Sequence, residues 1–514
     1  MPGRSPVTNA VTAYLDTHVA AGRGGRTAIV TPTGCHTYAE VLAATCRAGN
    51  ALRALGVEPE QRVAMLLSDG LPFVAMFFGA LRIGAVAVPL NTRLRPEAHA
   101  AILRDSRAKV LVADAAFVEG LRPVLAGLPH LRAVVTAGPA RGFPSLDELC
   151  AKAPAVLAPE PVSPDDMAFW LYTSGTTGVP KGAIHLHRDH LACHNYAVAV
   201  LGVTAEDRVL ATSRLFFAYA LGNSFLLPFF AGACTFLNPA WPDPATVAEA
   251  MLCFRPTILF SVPTFYARML RADPPPEAFR SLRFAVSAGE RLPADLYLAY
   301  RERFGLEILD GIGATETVFM VLSNRPGQSR PGSTGTPVPG TEVRLLDAGG
   351  HEVRDGEEGI LHVKTGSASP AYWNRLDRSR ATFIGAWFRT GDVYRRDADG
   401  FYYHCGREDD FFKVAGLWVA PAEVETVLLS HPGVAEAGVV GGEEPGGLVK
   451  PFAFVVPKDQ AKPTDELVAE LTALAESNLA PHQRPRKILV VPELPRTATG
   501  KLQRFVLKER IPQA

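Results

Sequence analysis

Two apolar runs flanking a loop of hydroxyls and glycines constrain this chain more than any other feature. Met167-Ala-Phe-Trp-Leu-Tyr172 has the length and composition of a buried strand. Ala183-Ile-His-Leu-His187 reads as a second strand rather than a helix. Between Tyr172 and Gly182 the chain carries four aliphatic hydroxyls (Thr173, Ser174, Thr176, Thr177), three glycines (Gly175, Gly178, Gly182) and Lys181. Glycines let backbone N–H groups turn toward an anion, hydroxyls add donors, and the lysine adds charge. The combination is a phosphate cradle at the end of a strand. It fails the Walker A rule, because Pro180 precedes Lys181 and Gly182 follows it.

At 514 residues the chain is too long for one core, so two or more domains are expected. With 52 basic and 52 acidic residues the net charge is zero, which argues against nucleic acid or a charged membrane surface as partner. Seven scattered cysteines with no C-x-x-C pair suggest neither a zinc site nor a disulfide framework. A reduced cytoplasm is the expected compartment. No apolar stretch follows Met1-Pro-Gly-Arg-Ser-Pro6, so no secretory signal is read. The greasy stretch from Val74 to Leu90 is broken by Gly79, Arg82 and Gly84 and reads as helix plus strand, not a membrane span.

Up to about Pro161, strand-length runs (62–68, 85–88, 109–113) alternate with helical periodicity (71–83, 96–103), the pattern of a parallel sheet covered by helices. Pro256–Ser261, Leu282–Ser287 and Leu306–Asp310 read as further buried strands. Their polar or glycine-rich ends lie where open α/β sheets present ligands. Residues 330–405 are dense in glycine and proline with short alternating runs, a small β-rich subdomain. A junction near 408/409 separates an N-terminal domain (1–408) from a C-terminal α+β domain (409–514). The latter has helices at 421–430 and 465–478 and a strand at 435–440. The expected fold class is thus α/β: a large N-terminal domain of α/β sheet subdomains with a small β-rich subdomain, then a small, mobile α+β domain.

Six motifs follow one another: the phosphate loop, Ser287-Ala-Gly-Glu290, Gly313-Ala-Thr-Glu316, Arg389-Thr-Gly-Asp392, Gly406-Arg-Glu-Asp409 and Thr499-Gly-Lys501. In this order they resemble the adenylate-forming superfamily of acyl-CoA synthetases, luciferases and peptide-synthetase adenylation domains, across nearly the whole chain. Leu215-Phe-Phe-Ala-Tyr219, Asp310-Gly-Ile-Gly313 and Lys413-Val-Ala-Gly-Leu-Trp418 look like its benzoate-CoA ligase branch.

The resemblance implies ATP, Mg²⁺ and CoA acting on a small aromatic carboxylic acid. The acid attacks the α-phosphate to give an acyl-adenylate and pyrophosphate, and CoA then takes the acyl group. Thr173, Ser174, Gly175, Thr176, Thr177, Gly178 and Lys181 would hold the β- and γ-phosphates. Thr315 would bind the α-phosphate and Glu316 would ligate Mg²⁺. Ser287, Ala288, Gly289, Glu290, Asp310, Gly311 and Ile312 would enclose adenine, Ile312 standing where most of the family has an aromatic. Asp392 would accept the ribose hydroxyls beside Arg407. Lys501 would bridge carboxylate and α-phosphate, and Asp409 would be the hinge on which the C-terminal domain turns between half-reactions. Gly416, Leu417 and Trp418 would line the CoA tunnel. The aryl pocket would comprise Phe217, Ala218, Tyr219, Ala288, Gly311, Gly313, Phe319 and Met320, with Lys413 as an acid or adenylate contact. Small residues at 288, 311 and 313 suggest a flat slot suited to a ring. Phe319-Met320 replaces the His-Ile usual in the compared ligases, so 2-aminobenzoate (anthranilate) stands beside benzoate as a candidate acid. Loading of a carrier protein instead of CoA, and a non-catalytic nucleotide sensor, are the competing readings. A serine hydrolase is disfavoured by the lack of a G-x-S-x-G elbow. Monomer and homodimer both remain open.

Overall fold

Strand-length runs of β-branched residues alternating with amphipathic helices can bury both sheet faces only as parallel layers. The computed structural model has this form, and describes residues 9–173, 180–414, 417–443, 448–458, 464–496 and 502–511. A six-stranded sheet runs Ala133–Ala137, Val110–Asp114, Arg62–Leu66, Val86–Pro89, Met167–Thr173, Lys181–Leu186. All neighbours are parallel except the last two, which are antiparallel. The greasy stretch is the helix Leu71–Arg82 followed by the strand Val86–Pro89. Among the described residues no helix is long and apolar enough to cross a membrane.

A nine-stranded sheet begins at Thr336–Pro337 and Met320–Ser323. It continues through Ile308–Gly313, Phe284–Ser287, Ile258–Ser261, Arg208–Ala211, Cys234–Phe236 and Thr27–Thr31, and ends at Gly34–Thr37. The strand expected to stop at Asp310 runs on to Gly313, because Gly311 and Ile312 pair with Ser323 and Leu322 of the returning strand. The chain divides into two compact units, 1–343 with 363–389 and 344–362 with 390–514. Residues 344–362 and 390–408, expected within the N-terminal domain, thus group with the C-terminal stretch.

In that second unit, Val434–Glu443 pairs antiparallel with Val449–Pro457, and Lys487–Val490 adds in parallel. The helices Pro421–Leu429 and Thr464–Asn478 bury Val424, Leu428, Leu467 and Leu471 in one apolar cluster with strand residues Val439, Ala453 and Val455. The i, i+4 spacing of these leucines and valines is what fixes the buried faces.

Candidate active site

The parallel register of the nine-stranded sheet brings three distant strand ends side by side. Ser261 pairs with Ser287, and Ser287 with Asp310. Thr212, just beyond the next strand, has its hydroxyl 2.6 Å from that of Ser261. Tyr219 lies over this edge, its phenol donating toward the carbonyls of Val286 (2.9 Å) and Ser261 (3.0 Å). Asp310 is buried, and burial holds its carboxyl well above the usual carboxylate range, against the opposing pull of the Ser287 hydroxyl and the Gly311 N–H. After Ser287, Ala288 is buried and Gly289 turns the chain in the left-handed region (φ 86°). Glu290 points back to accept from the Thr264 N–H (3.2 Å) and hydroxyl (2.5 Å), at the start of the helix Pro263–Arg271.

The hairpin sets the second cluster. Thr173 and Lys181 face each other across the base of the phosphate loop. Ser174, Gly175, Thr176, Thr177 and Gly178 lie outside the described residues. The Lys181 ammonium sits 4.0 Å from the ring centroid of Tyr372, and the Tyr372 phenol donates to Glu316 Oε1 at 2.5 Å. His185, four residues along the exit strand, is fully buried. Its Nε2 donates to the Thr315 carbonyl (2.9 Å) and its Nδ1 meets Asp189 Oδ2 (2.8 Å), while Phe169 stacks on the ring. The Ser369 N–H donates to the Glu316 carbonyl (2.7 Å) and its hydroxyl accepts from the Ile184 N–H (3.1 Å). Two groups, the His185 imidazole and the Ser369 N–H, therefore hold the Thr315–Glu316 backbone. Sequence reasoning missed Tyr372, His185 and Ser369. The available signals were the His-x-x-x-Asp spacing of 185 and 189 and the aromatic pair Tyr372-Trp373 in a polar stretch.

Phe217, Ala218 and Tyr219 are half-buried beside the strand ends, while Phe319 and Met320 are buried. The glycines at 311 and 313 serve backbone approach before they serve any slot. A Cβ on Gly311 would lie 3.0 Å from the Leu322 carbonyl oxygen, and one on Gly313 2.8 Å from that of Phe319. Between Glu316 and Phe319 the chain turns through Val318 at φ 59°, a conformation that costs a β-branched residue energy and clusters at functional sites.

In the second unit, Asp392 and Arg407 are register partners of adjacent strands, Trp387–Arg396 and Tyr402–Arg407. Their side chains pair at 3.0 Å, with His404 Nε2 3.5 Å from the same carboxylate. Asp409 lies in the short turn Glu408–Asp410. Lys413 is exposed and pairs in register with Trp418 across a two-stranded ribbon, and Leu417 is 54% exposed. Gly416 and Lys501 lie outside the described residues. The base of the loop bearing Lys501 is closed by an Arg496–Leu502 bridge and a Gln503 N–H bond to the Pro495 carbonyl (2.8 Å).

No group of three His, Cys, Asp or Glu side chains suited to a metal occurs among the described residues. The oxygen donors at Thr315 and Glu316 fit Mg²⁺, a hard cation that keeps most of its waters and takes one or two protein carboxylates.

Two family models match the chain: AMP-binding enzyme over residues 16–373, which spans these strand ends and the hairpin, and AMP-binding enzyme C-terminal domain over residues 423–501. The chain belongs to the AMP-binding enzyme family. It is 42% identical over 507 residues to the 4-hydroxybenzoate–CoA/benzoate–CoA ligase of Rhodopseudomonas palustris, covering 98% of this chain and 94% of that one. The fold matches a benzoate-CoA ligase from Burkholderia xenovorans LB400 (TM-score 0.91, 40% identity, 98% and 100% of the two chains). It also matches the anthranilate CoA ligase AuaEII in complex with anthranoyl-AMP (TM-score 0.93, 39% identity, 98% of each chain).

Proposed function

We propose that the protein is an ATP-dependent aryl acid–CoA ligase that forms an aryl-adenylate and then an aryl thioester. The observation that carries this reading is the registered edge Ser261–Ser287–Asp310 beneath Tyr219, in a chain alignable end to end with benzoate-CoA ligases.

In the first half-reaction two anions must meet, so fixed donors and cations dominate catalysis. The loop from Thr173 to Lys181 holds the β- and γ-phosphates. Thr315 donates to the α-phosphate, and its backbone is kept in place by His185. Glu316 binds Mg²⁺, which when present neutralises phosphate charge. Ser287 to Glu290 and Asp310 to Ile312 enclose adenine, and Asp392 accepts from the ribose hydroxyls, its orientation set by Arg407. Lys501 places its ammonium between the attacking carboxylate and the α-phosphate.

In the second half-reaction the C-terminal domain (409–514) turns about Asp409, and Gly416, Leu417 and Trp418 guide the CoA thiol to the adenylate. Lys413 contacts the acid or adenylate. The ring lies against Phe217, Tyr219, Phe319 and Met320. Benzoate or a substituted benzoate is the acid, on the likeness to benzoate-CoA ligases, with anthranilate as the alternative because of the Phe319-Met320 pair and the likeness to AuaEII. The cytoplasm, where ATP and CoA are available, is the proposed compartment.

The test is ATP-dependent thioester formation with CoA across benzoate, its hydroxy-, amino- and halo-derivatives and medium-chain acids. Turnover of ring acids above alkyl acids is expected. Absence of pyrophosphate release with every ring acid, or preference for an alkyl acid, would overturn the reading. A phosphopantetheinylated carrier protein assayed beside CoA separates the two thiol acceptors.

A further inference from the structure

The Tyr372 side chain touches both the cation at the base of the phosphate loop and the acidic residue of the Thr315–Glu316 pair. It is 3% exposed, and its place is dictated by backbone. Residues 371–373 run along the exit strand of the hairpin, with the Ile184 N–H donating to the Ala371 carbonyl (3.2 Å) and the Trp373 N–H to the Gly182 carbonyl (2.8 Å). Tyr372 itself bridges to Ala183. Its ring packs on Phe383 with centroids 5.1 Å apart, so the phenol has little freedom to swing. From this fixed position the ring face meets the Lys181 ammonium at 4.0 Å and the hydroxyl meets Glu316 Oε1 at 2.5 Å.

The two contacts are chemically distinct. The ring quadrupole attracts a cation without neutralising it, so this contact places the Lys181 ammonium without cancelling its charge. The phenol–carboxylate hydrogen bond is charge-assisted and short. It occupies one oxygen of Glu316 and leaves the carboxylate to take a metal through Oε2. A single-oxygen ligand suits Mg²⁺, which needs its other positions for water and phosphate.

Resting on the ligase reading above, we propose that Tyr372 is a positioning residue for the metal–nucleotide complex. Its ring face holds Lys181 for the phosphates, and its hydroxyl orients Glu316 for the metal.

Two substitutions separate the contacts in the full-length protein. Tyr372→Phe keeps the ring and loses the hydroxyl; Tyr372→Leu loses both. ATP binding is measured by calorimetry at a series of Mg²⁺ concentrations and in EDTA, with thermal melting as the fold control. Tyr372→Phe is expected to bind metal-free ATP as the wild type does, while its half-saturating Mg²⁺ rises about tenfold, the scale for losing a partner that orients a metal ligand. Tyr372→Leu is expected to show the same metal defect and to weaken metal-free ATP binding by about fivefold, through loss of the cation–ring contact. A merely structural role would lower the melting temperature without moving the Mg²⁺ dependence. Wild-type Mg²⁺ dependence in Tyr372→Phe overturns the proposal, whether or not the leucine variant folds. Failure of the wild type to bind ATP overturns the ligase reading itself.

Discussion

Arg504 follows Lys501 by three residues and anchors the segment on which that lysine depends. Its guanidinium reaches Glu425 through two nitrogens (2.5 and 3.1 Å), Asp410 at 3.1 Å and the Val439 carbonyl at 3.1 Å. Glu425 lies on the helix Pro421–Leu429 and also accepts from the Val439 N–H (2.7 Å). Asp410 adjoins the proposed hinge. One fork therefore ties the loop base to the hinge turn, the helix and the strand Val434–Glu443. Side-chain exposures are 17% for Arg504, 13% for Glu425 and 29% for Asp410. Removing one partner of a buried pair costs about 3–5 kcal/mol, because the other charge is left uncompensated. The residual exposure lets water solvate part of the orphaned charge, so Arg504→Met is expected to destabilise the C-terminal unit by about 3 kcal/mol. Arg504→Lys should recover less than half of this, since an ammonium cannot reproduce the bidentate fork. Denaturant unfolding of the full-length chain reads the loss. A double-mutant cycle with Glu425→Gln isolates the coupling. Both half-reactions should fall together as the unit opens. A loss under about 1 kcal/mol, the range of exposed surface pairs, or a coupling near zero, would refute the reasoning.

Three further outcomes follow from the site and the core. Lys501→Ala should slow adenylation by about 10²–10³, the scale for one preorganised charge, and spare thioester formation from supplied aryl-adenylate; near-normal pyrophosphate release would sink the assignment. Asp409→Pro should keep adenylation and lose thioester synthesis, measured as separate half-reactions, and equal loss of both would contradict a hinge. His187 is fully buried, accepts from the Ala10 N–H (3.2 Å), and has its imidazole pushed by burial from 6.5 down to about 4. The folded state thus disfavours a proton that the unfolded chain binds below 6.5. Stability should fall as pH drops from 6.5 to about 4, by up to about 3 kcal/mol at about 1.36 kcal/mol per unit. His187→Gln should flatten that slope in denaturant midpoints across the window, and a parallel slope in the variant would refute the assignment.

Much of the architecture was legible because backbone demands leave local marks. The run Met167–Tyr172 and the run after the polar loop each had one reasonable conformation, a strand, and the antiparallel hairpin follows. The strand ends at Ser261, Ser287 and Asp310 could be found one by one from apolar runs closing on polar residues. Their mutual register could not, because parallel pairing is set by helices packed on the sheet rather than by the strands alone. The continuation of the third strand to Gly313 was hidden for a related reason. Glycines at 311 and 313 look like a loop in sequence, but here they admit a neighbouring backbone within 3.0 Å of where their side chains would be.

The same distinction separates the site residues that were read from those that were missed. Lysines, hydroxyls and acids in glycine-rich loops declare a ligand because nothing in a core would need them there. Tyr372 and His185 declare far less: the Tyr-Trp pair and the His-x-x-x-Asp spacing fit ordinary core packing until a partner appears. Their partners, Glu316 and the Thr315 carbonyl, lie 56 and 130 residues away, so no local pattern encodes the contact. Glu290 shows the converse. It stands in a ligand motif, but its carboxylate is engaged at the start of a helix by Thr264, which makes it a brace for the turn through Gly289 that presents Ala288. A motif therefore marks a segment that must hold a shape, and only the hydrogen-bond partners divide its members into those that face the ligand and those that hold the others in place.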